Sequence, residues 1–243
     1  MSAPKAAVVT GAAGGIGAAV ARRLAKDGFA VACLDLDAEG AGTVAADLPG
    51  GLGVAADVSD EVQVQAAAAR IRETLGDPWL LVNAAGYFDR HRIPELSVAE
   101  WDRFMAVNVR GPFLTCRAFL PAMIAAGDGC IVNVASTAAL RGGHDRAAYC
   151  ASKGALLQLS RSLAIDHGPD GIRVSSICPG LIDTPMADWI RHDEAGIAAF
   201  ESRVPAGRMG QPEEIADAVA FLASPAATYS HGTTLVIDGG TTA

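Results

Sequence analysis

The sequence lacks the marks of several large protein classes. Its five cysteines, Cys33, Cys116, Cys130, Cys150 and Cys178, are odd in number, widely scattered and form no C-x-x-C pair. That argues against a disulfide scaffold or a cysteine metal knot and predicts reduced, buried thiols in a cytoplasmic protein. The five histidines are equally scattered, with no metal-ligand spacing, so no metal is expected. No basic run marks a nucleic-acid face, and the net charge is −8. No apolar segment approaches the roughly 18 residues needed to cross a membrane. Met1 to Lys5 lacks the basic start, apolar core and cleavage site of a signal peptide.

What is present is apolar bulk. The chain has 243 residues, 51% of them hydrophobic, enough for one large α/β domain over 1–243. Short apolar runs alternate with longer segments of helical period. The runs are Lys5 to Thr10, Phe29 to Leu34, Leu52 to Ala56, Trp79 to Asn83, Cys130 to Ala135, Ile172 to Ile177 and Thr234 to Ile237. Helices are expected from Ile16 to Asp27, from Glu39, from Ser59 to Leu75, from Trp101 to Met123 with an interruption at Gly111-Pro112, and around Tyr149. Seven strands alternating with helices predict a parallel sheet covered on both faces, a three-layer α/β/α sandwich. The longest irregular stretch, about 181–205, carries a helical piece near Ala187 to Arg191 and reads as a substrate lid at the end of a strand.

Gly11-Ala12-Ala13-Gly14-Gly15-Ile16-Gly17 follows the first strand and opens the first helix. A strand-to-helix turn leaves free N–H groups aimed at any nearby anion, and glycines let the backbone come close to a pyrophosphate. Asp35 ends the second strand about 20 residues on, where a carboxylate accepts from a ribose diol and repels a 2′-phosphate. At about 5 Å and an effective dielectric near 20 that repulsion is roughly 3 kcal/mol, which favours NAD over NADP. Neither Gly14 nor Leu36 offers a cation for a phosphate. Asp57 ends the third strand, where it can meet an adenine or merely cap a turn.

Tyr149 and Lys153 stand four residues apart, on one face if the segment is helical. Hydride transfer at a carbinol carbon must be coupled to proton transfer at its oxygen. A tyrosine with an ordinary pKa near 10 is a poor base at neutrality, and a neighbouring ammonium stabilises its phenolate. Ser136, ending the fifth strand, can hold the substrate oxygen, and Asn108 can connect the lysine to solvent through a water. Cys150 points about 100° away from Tyr149 around the helix and reads as core. His144, Phe88, Met186, Trp189 and Ile190 are candidates for the substrate wall. His91, His167, His192 and His231 carry no functional expectation.

These residues resemble the short-chain dehydrogenase/reductase family over almost the whole chain. Thr10-Gly11-x3-Gly15-x-Gly17 resembles its cofactor loop, and Asn83-Ala84-Ala85-Gly86 its Asn-Asn-Ala-Gly element, with Ala84 replacing the second Asn. Asn108, Ser136, Tyr149 and Lys153 look like its catalytic tetrad. Pro179-Gly180 and Thr184 resemble the segment that cradles the nicotinamide amide and diphosphate. Gly207-Arg208-x-Gly210-x-Pro212-Glu213-Glu214 and Val236-Ile237-Asp238-Gly239-Gly240 resemble its C-terminal signature.

The resemblance implies a Rossmann-type fold and an NAD(H)-dependent oxidoreductase that interconverts a secondary alcohol and a ketone. Tyr149 is then the general acid/base, Lys153 also binds the nicotinamide ribose, Ser136 orients the substrate and Asn108 holds a relay water. Asp57 and Val58 flank adenine, and Ile182 approaches the nicotinamide amide. A homotetramer formed by pairing of the helices carrying Asn108 and Tyr149 is implied as well. A 3-oxoacyl-thioester reductase using NADPH is the second reading, disfavoured by Asp35 and Gly14. A nucleotide-binding protein without catalysis is the third.

Overall fold

A computed structural model describes residues 4–243. Seven parallel strands form one sheet: β1 (Ala6–Thr10), β2 (Ala30–Asp35), β3 (Leu52–Ala55), β4 (Pro78–Asn83), β5 (Gly129–Val134), β6 (Ile172–Pro179) and β7 (Thr234–Ile237). Their order is β3-β2-β1-β4-β5-β6-β7. Each strand matches a run expected from the sequence to within two residues at either end. The order reverses between β1 and β4, and ligands of such sheets bind in the crevice beyond the strand ends at that point.

The apolar runs of the five inner strands are continuous because those strands bury both faces, while the edge strands β3 and β7 are only partly covered. Val9, Val31, Leu80, Val82 and Val132 enter one core layer, and Val8, Leu34, Leu81 and Ile131 enter the other. The first layer is closed by α1 (Gly15–Lys26), through Val20 and Leu24, and α9 (Pro212–Ala223), through Ile215, Val219 and Leu222. The second is closed by α3 (Glu61–Leu75) and α5 (Gly111–Ala126), with Ile71 and Phe119 fully buried. Burying an aliphatic side chain of this size contributes about 1.5–3 kcal/mol. A shorter helix, α2 (Ala38–Ala46), leads into β3.

Buried polar groups are joined across the layers. Thr115 Oγ1 donates to Asn83 Oδ1 at 2.7 Å, Asn83 Nδ2 to Asn133 Oδ1 at 2.8 Å, and Asn133 Nδ2 to Ser160 Oγ at 2.8 Å. An unpaired amide here would cost about 1–3 kcal/mol, so the chain of bonds fixes β4 against β5 and both against their helices.

Two regions differ from the sequence reading. The helix expected over 101–123 starts earlier, as α4 (Val98–Met105), behind a capping box of Ser97 and Glu100. It runs through Gly111-Pro112 without a break, because proline is tolerated in a first helical turn. The irregularity lies just before, where Ala106–Arg110 is a π turn that contains Asn108. The stretch 181–205 is mostly ordered into short elements, α7 (Asp188–Arg191) and α8 (Glu194–Glu201), the second capped by Asp193.

The C-terminal motifs brace that stretch from below. Gly210 and Ile182 form a parallel bridge, through Gly210 N–H to Leu181 O at 3.0 Å and Asp183 N–H to Gly210 O at 2.9 Å. Arg208 grips both oxygens of Glu214 at 2.8 and 2.7 Å, and Glu214 accepts the Gln211 N–H. Those contacts hold the Glu214 carboxyl down to about 2, the guanidinium first and the amide second. Gly180 packs so tightly on Asp238 that a Cβ would lie 2.8 Å from its Cα. No helix among the described residues is long and apolar enough to cross a membrane.

Candidate active site

At the sheet's reversal point, Thr10 Oγ1 accepts the main-chain N–H groups of Ala84 at 3.1 Å and Ala85 at 3.0 Å. This ties the loop after β1 to the turn after β4. Gly11 sits at φ +69°, and a Cβ there would lie 2.8 Å from the Ala85 main chain. A Cβ at Gly17 would run into the Gly11 carbonyl oxygen. At Gly14 the reverse holds, and a Cβ would meet nothing within 4 Å. Gly14 is also the N-cap of α1, with no side chain covering the first-turn N–H groups. Gly15 faces Thr184, whose Cγ2 would stand 3.2 Å from a Cβ. Closed on its inner side and open on its outer side, the loop fits the pyrophosphate of a dinucleotide at the positive end of a helix.

Asp35 Oδ2 accepts the Ala13 N–H at 2.9 Å and Oδ1 accepts the Asp37 N–H at 3.0 Å. Each oxygen retains a lone pair for a diol. Leu36 beside it is exposed. Asp57 accepts from both the N–H and the hydroxyl of Ser59, at 2.8 and 2.7 Å, so its turn-capping task is real. Val58 is buried with its side chain against Gly111, and what it can offer an adenine is its main chain.

Beyond the loop a cavity of about 690 Å³ runs along the ends of β4, β5 and β6. Ile16, Ala84 and Gly86 line one end, with Pro179, Gly180, Ile182 and Thr184 along one side. Ser136, Tyr149 and Lys153 line the middle. Phe88, His144, Met186, Trp189 and Ile190 line it as well, so every residue expected in the substrate wall borders the cavity. The Phe88 ring meets Tyr149 edge-on, with centroids 4.9 Å apart.

Tyr149 and Lys153 are both buried on α6 (Ala147–His167). Lys153 Nζ donates to the Val134 carbonyl at 2.9 Å and lies 5.9 Å from the Tyr149 ring centroid. Burial pushes the phenol up to about 12, countered in part by the Ser136 hydroxyl and then by the Arg146 charge. Burial pushes the Lys153 amine down to about 8. The Lys153 ammonium stands beside the phenol as the spacing predicts, and the Arg146 guanidinium adds a second positive charge near it. Ser136 Oγ accepts the Ala138 N–H at 3.1 Å, which leaves its proton free to donate.

Asn108 stands apart from the cavity. It is fully buried, with Oδ1 accepting the Tyr87 N–H at 2.7 Å. Its Nδ2 donates to the Tyr87 carbonyl and the Ser152 hydroxyl, both at 2.9 Å. Both amide protons are therefore committed to the protein, and the side chain fixes the segment after Gly86. Gly86 itself makes room, since a Cβ there would lie 3.4 Å from Lys153 Nζ.

Three of the bordering residues that were not foreseen bear on the chemistry of the cavity. Cys150, expected in the core, is half-buried and borders the cavity. Arg90 and Arg146 border the Phe88–Trp189 end. They come from the segment after β4 and the residue before α6, and nothing in the linear sequence brings them together.

A Rossmann-type crevice with this cradle and this serine–tyrosine–lysine group defines a dinucleotide-dependent oxidoreductase. A family model described as "Enoyl-(Acyl carrier protein) reductase" matches residues 11–242. The chain is 45% identical to the 2-(R)-hydroxypropyl-CoM dehydrogenase of Xanthobacter autotrophicus, covering 98% of each. It is 43% identical to the D-threitol dehydrogenase of Mycolicibacterium smegmatis, over 98% of this chain and 93% of that one. Among solved structures, a gluconate 5-dehydrogenase from Burkholderia cenocepacia, in complex with NADP and tartrate, superposes with a TM-score of 0.92. It is 34% identical, over 98% of this chain and 95% of that one. The chain belongs to the short-chain dehydrogenase/reductase family. It is an oxidoreductase of CH–OH groups that uses a nicotinamide cofactor.

Proposed function

We propose that the protein is an NAD(H)-dependent dehydrogenase of a secondary alcohol, acting from 1–243 as one dinucleotide-binding domain with 181–205 as its substrate lid. The observation that carries the cofactor preference is Asp35, whose two oxygens stand at the end of β2, with uncharged Leu36 next to it and uncharged Gly14 in the loop. A bound oxidised nicotinamide supplies the hydride acceptor and a positive charge at the centre of the cavity. Ser136 donates to the substrate oxygen. Tyr149 takes the hydroxyl proton in alcohol oxidation and returns it in ketone reduction. Lys153, held by the Val134 carbonyl, gives its remaining protons to the cofactor ribose and its charge to the phenolate.

Asn108 acts as a positioning residue. Its side chain is spent on Tyr87 and Ser152, so a relay water is better served by a main-chain carbonyl of the π turn, where ordinary helical pairing is disturbed. Gly11, Gly14, Gly15, Ile16 and Gly17 would hold the diphosphate, and Asn83 to Gly86 with Thr184 would hold the nicotinamide half. Exposed Phe113 on α5, and Gly154 on α6, where a Cβ would meet nothing within 4 Å, support pairing of these helices in a homotetramer. The cysteines, free among the described residues, are compatible with a reducing cytoplasm.

A panel of secondary alcohols and ketones, followed by NADH and NADPH absorbance, tests this reading. Turnover with NADH at least about tenfold more efficient than with NADPH is expected. A preference for NADPH, with 3-oxoacyl thioesters as the best substrates, would overturn it in favour of the second reading.

A further inference from the structure

The cavity's charge is opposite to that of the protein. The chain carries a net charge of −8, yet the lining holds four arginines and one lysine against a single aspartate. That aspartate, Asp193, is spent capping α8, where it accepts the Gly196 N–H. The arginines are not alike. Arg90 faces Asp145 at 3.4 Å, Arg141 donates to the Thr241 carbonyl at 3.3 Å, and exposed Arg203 donates to the Ala199 carbonyl at 2.9 Å. Arg146 makes no ion pair among the described residues, and its Nε is buried with no hydrogen-bond partner.

A buried, unpaired guanidinium nitrogen is costly and is kept where a ligand completes it. Arg146 lies between two rings, 5.6 Å from the Phe88 centroid and 5.1 Å from that of Trp189. Arg90 covers Trp189 from 4.7 Å. Two guanidiniums thus converge on one aromatic wall, and each raises the cost of charging the other. Burial and then Arg90 push the Arg146 pKa down from its ordinary value. Arg146 is also the N-cap of α6, with no side-chain capping bond, so the positive end of that helix adds to the field. The place that fits the cofactor's own anionic group is a different one, the Gly11–Gly17 loop at the start of α1.

We propose that the alcohol substrate carries an anionic group, a carboxylate, sulfonate or phosphate ester a few bonds from the carbinol carbon, and that Arg146, supported by Arg90, binds it. The inference rests on the reading of this cavity as the alcohol/ketone site. Arg146 caps the helix that carries Tyr149 in its first turn, near enough for its charge to act on the phenol. The anion is held on the Phe88–Trp189 side while the reacting oxygen meets Ser136 and Tyr149. A planar guanidinium pairs with two oxygens of such a group at once, which fixes which face of the carbinol carbon meets the cofactor.

The test uses the full chain saturated with NADH. Calorimetry with butyrate, propanesulfonate and propyl phosphate, against butyramide, reads binding without any turnover. The anions are expected to bind, and the amide at least about tenfold more weakly. Arg146→Met is expected to abolish that discrimination, and Arg146→Lys to restore part of it for phosphate and sulfonate. The anion that binds best identifies the source of the charge. In parallel, kcat/KM is compared for 3-hydroxybutyrate, 3-hydroxybutyramide and butan-2-ol. The ratio of anionic to neutral substrate is expected to fall by about thirtyfold in Arg146→Met. Neutral alcohols turned over while no anion binds would overturn the anion site and leave the dehydrogenase reading intact. Arg146-dependent anion binding with no alcohol oxidised would overturn the dehydrogenase reading and leave the anion site standing. A ratio unchanged in Arg146→Met would reduce Arg146 to a brace between Phe88 and Trp189.

Discussion

Lys153 Nζ and the Val134 carbonyl oxygen lie 2.9 Å apart, at the point where α6 crosses the end of β5. This bond gives the buried ammonium one fixed direction. Two protons remain for the cavity, so the lysine can serve cofactor and tyrosine together. A bond to a charged group contributes about 1.5–3 kcal/mol. Lys153→Met should therefore weaken NADH binding about tenfold or more, measured by calorimetry, as well as turnover. Loss of turnover with unchanged affinity would leave Lys153 as an acid/base partner alone.

The same burial makes stability depend on pH. The Lys153 pKa is about 8 in the fold against an ordinary 10.5, so from pH 8 to 10.5 the unfolded chain binds the extra proton and stability rises. The difference between those two values corresponds to about 3 kcal/mol. Tyr149, at about 12 against an ordinary 10, acts with the opposite sign above pH 10. The clean window is pH 8 to 10. There the melting temperature of the wild type should rise relative to Lys153→Met, by up to several degrees. Parallel curves would show that the amine is not desolvated.

Gly14 and Gly17 separate a structural glycine from a binding one. Gly17→Ala has no room beside the Gly11 carbonyl and should lower the melting temperature or prevent folding. Gly14→Ala meets open space at φ −165°, which any residue adopts. It should melt like the wild type yet bind NADH about tenfold more weakly, because the methyl group faces the pyrophosphate cradle. Undiminished affinity in Gly14→Ala would move the cofactor off this loop.

Asp35→Ser removes the charge at the end of β2 but keeps a hydroxyl. The NAD/NADP ratio of kcat/KM should fall by about tenfold to a hundredfold, mainly through a lower KM for NADP. An unchanged ratio would leave Asp35 with its other task, the bonds to the Ala13 and Asp37 main chain.

The inner strands were legible because both faces are buried, which writes them as short, mainly apolar runs. The glycine loop was legible because its spacing meets a steric need seen at Gly11 and Gly17. The irregular behaviour of the helix around Asn108 was placed a few residues late, since the sequence offers Gly111-Pro112 as a breaker and no local signal for a π turn. Helix α8 was hidden because its register depends on the Asp193 cap and on packing against the loop after β6. Arg90 and Arg146 were invisible as a pair for a different reason. They are far apart in the chain, and arginines on an acidic protein read as solvated until the fold turns them inward. The phenol's raised pKa was also unreadable, because spacing reports the neighbour and not the desolvation.

The central claim is that Tyr149 moves the proton while hydride passes directly between the cofactor and a carbinol carbon. The most direct measurement follows deuterium from NADH labelled at C4 into the alcohol formed from a ketone, in the wild type and in Tyr149→Phe. The account predicts label retained on the carbinol carbon of one stereoisomer, and transfer slowed by about a thousandfold in the variant with NADH affinity kept. Label lost to solvent, or equal transfer in both proteins, would contradict it.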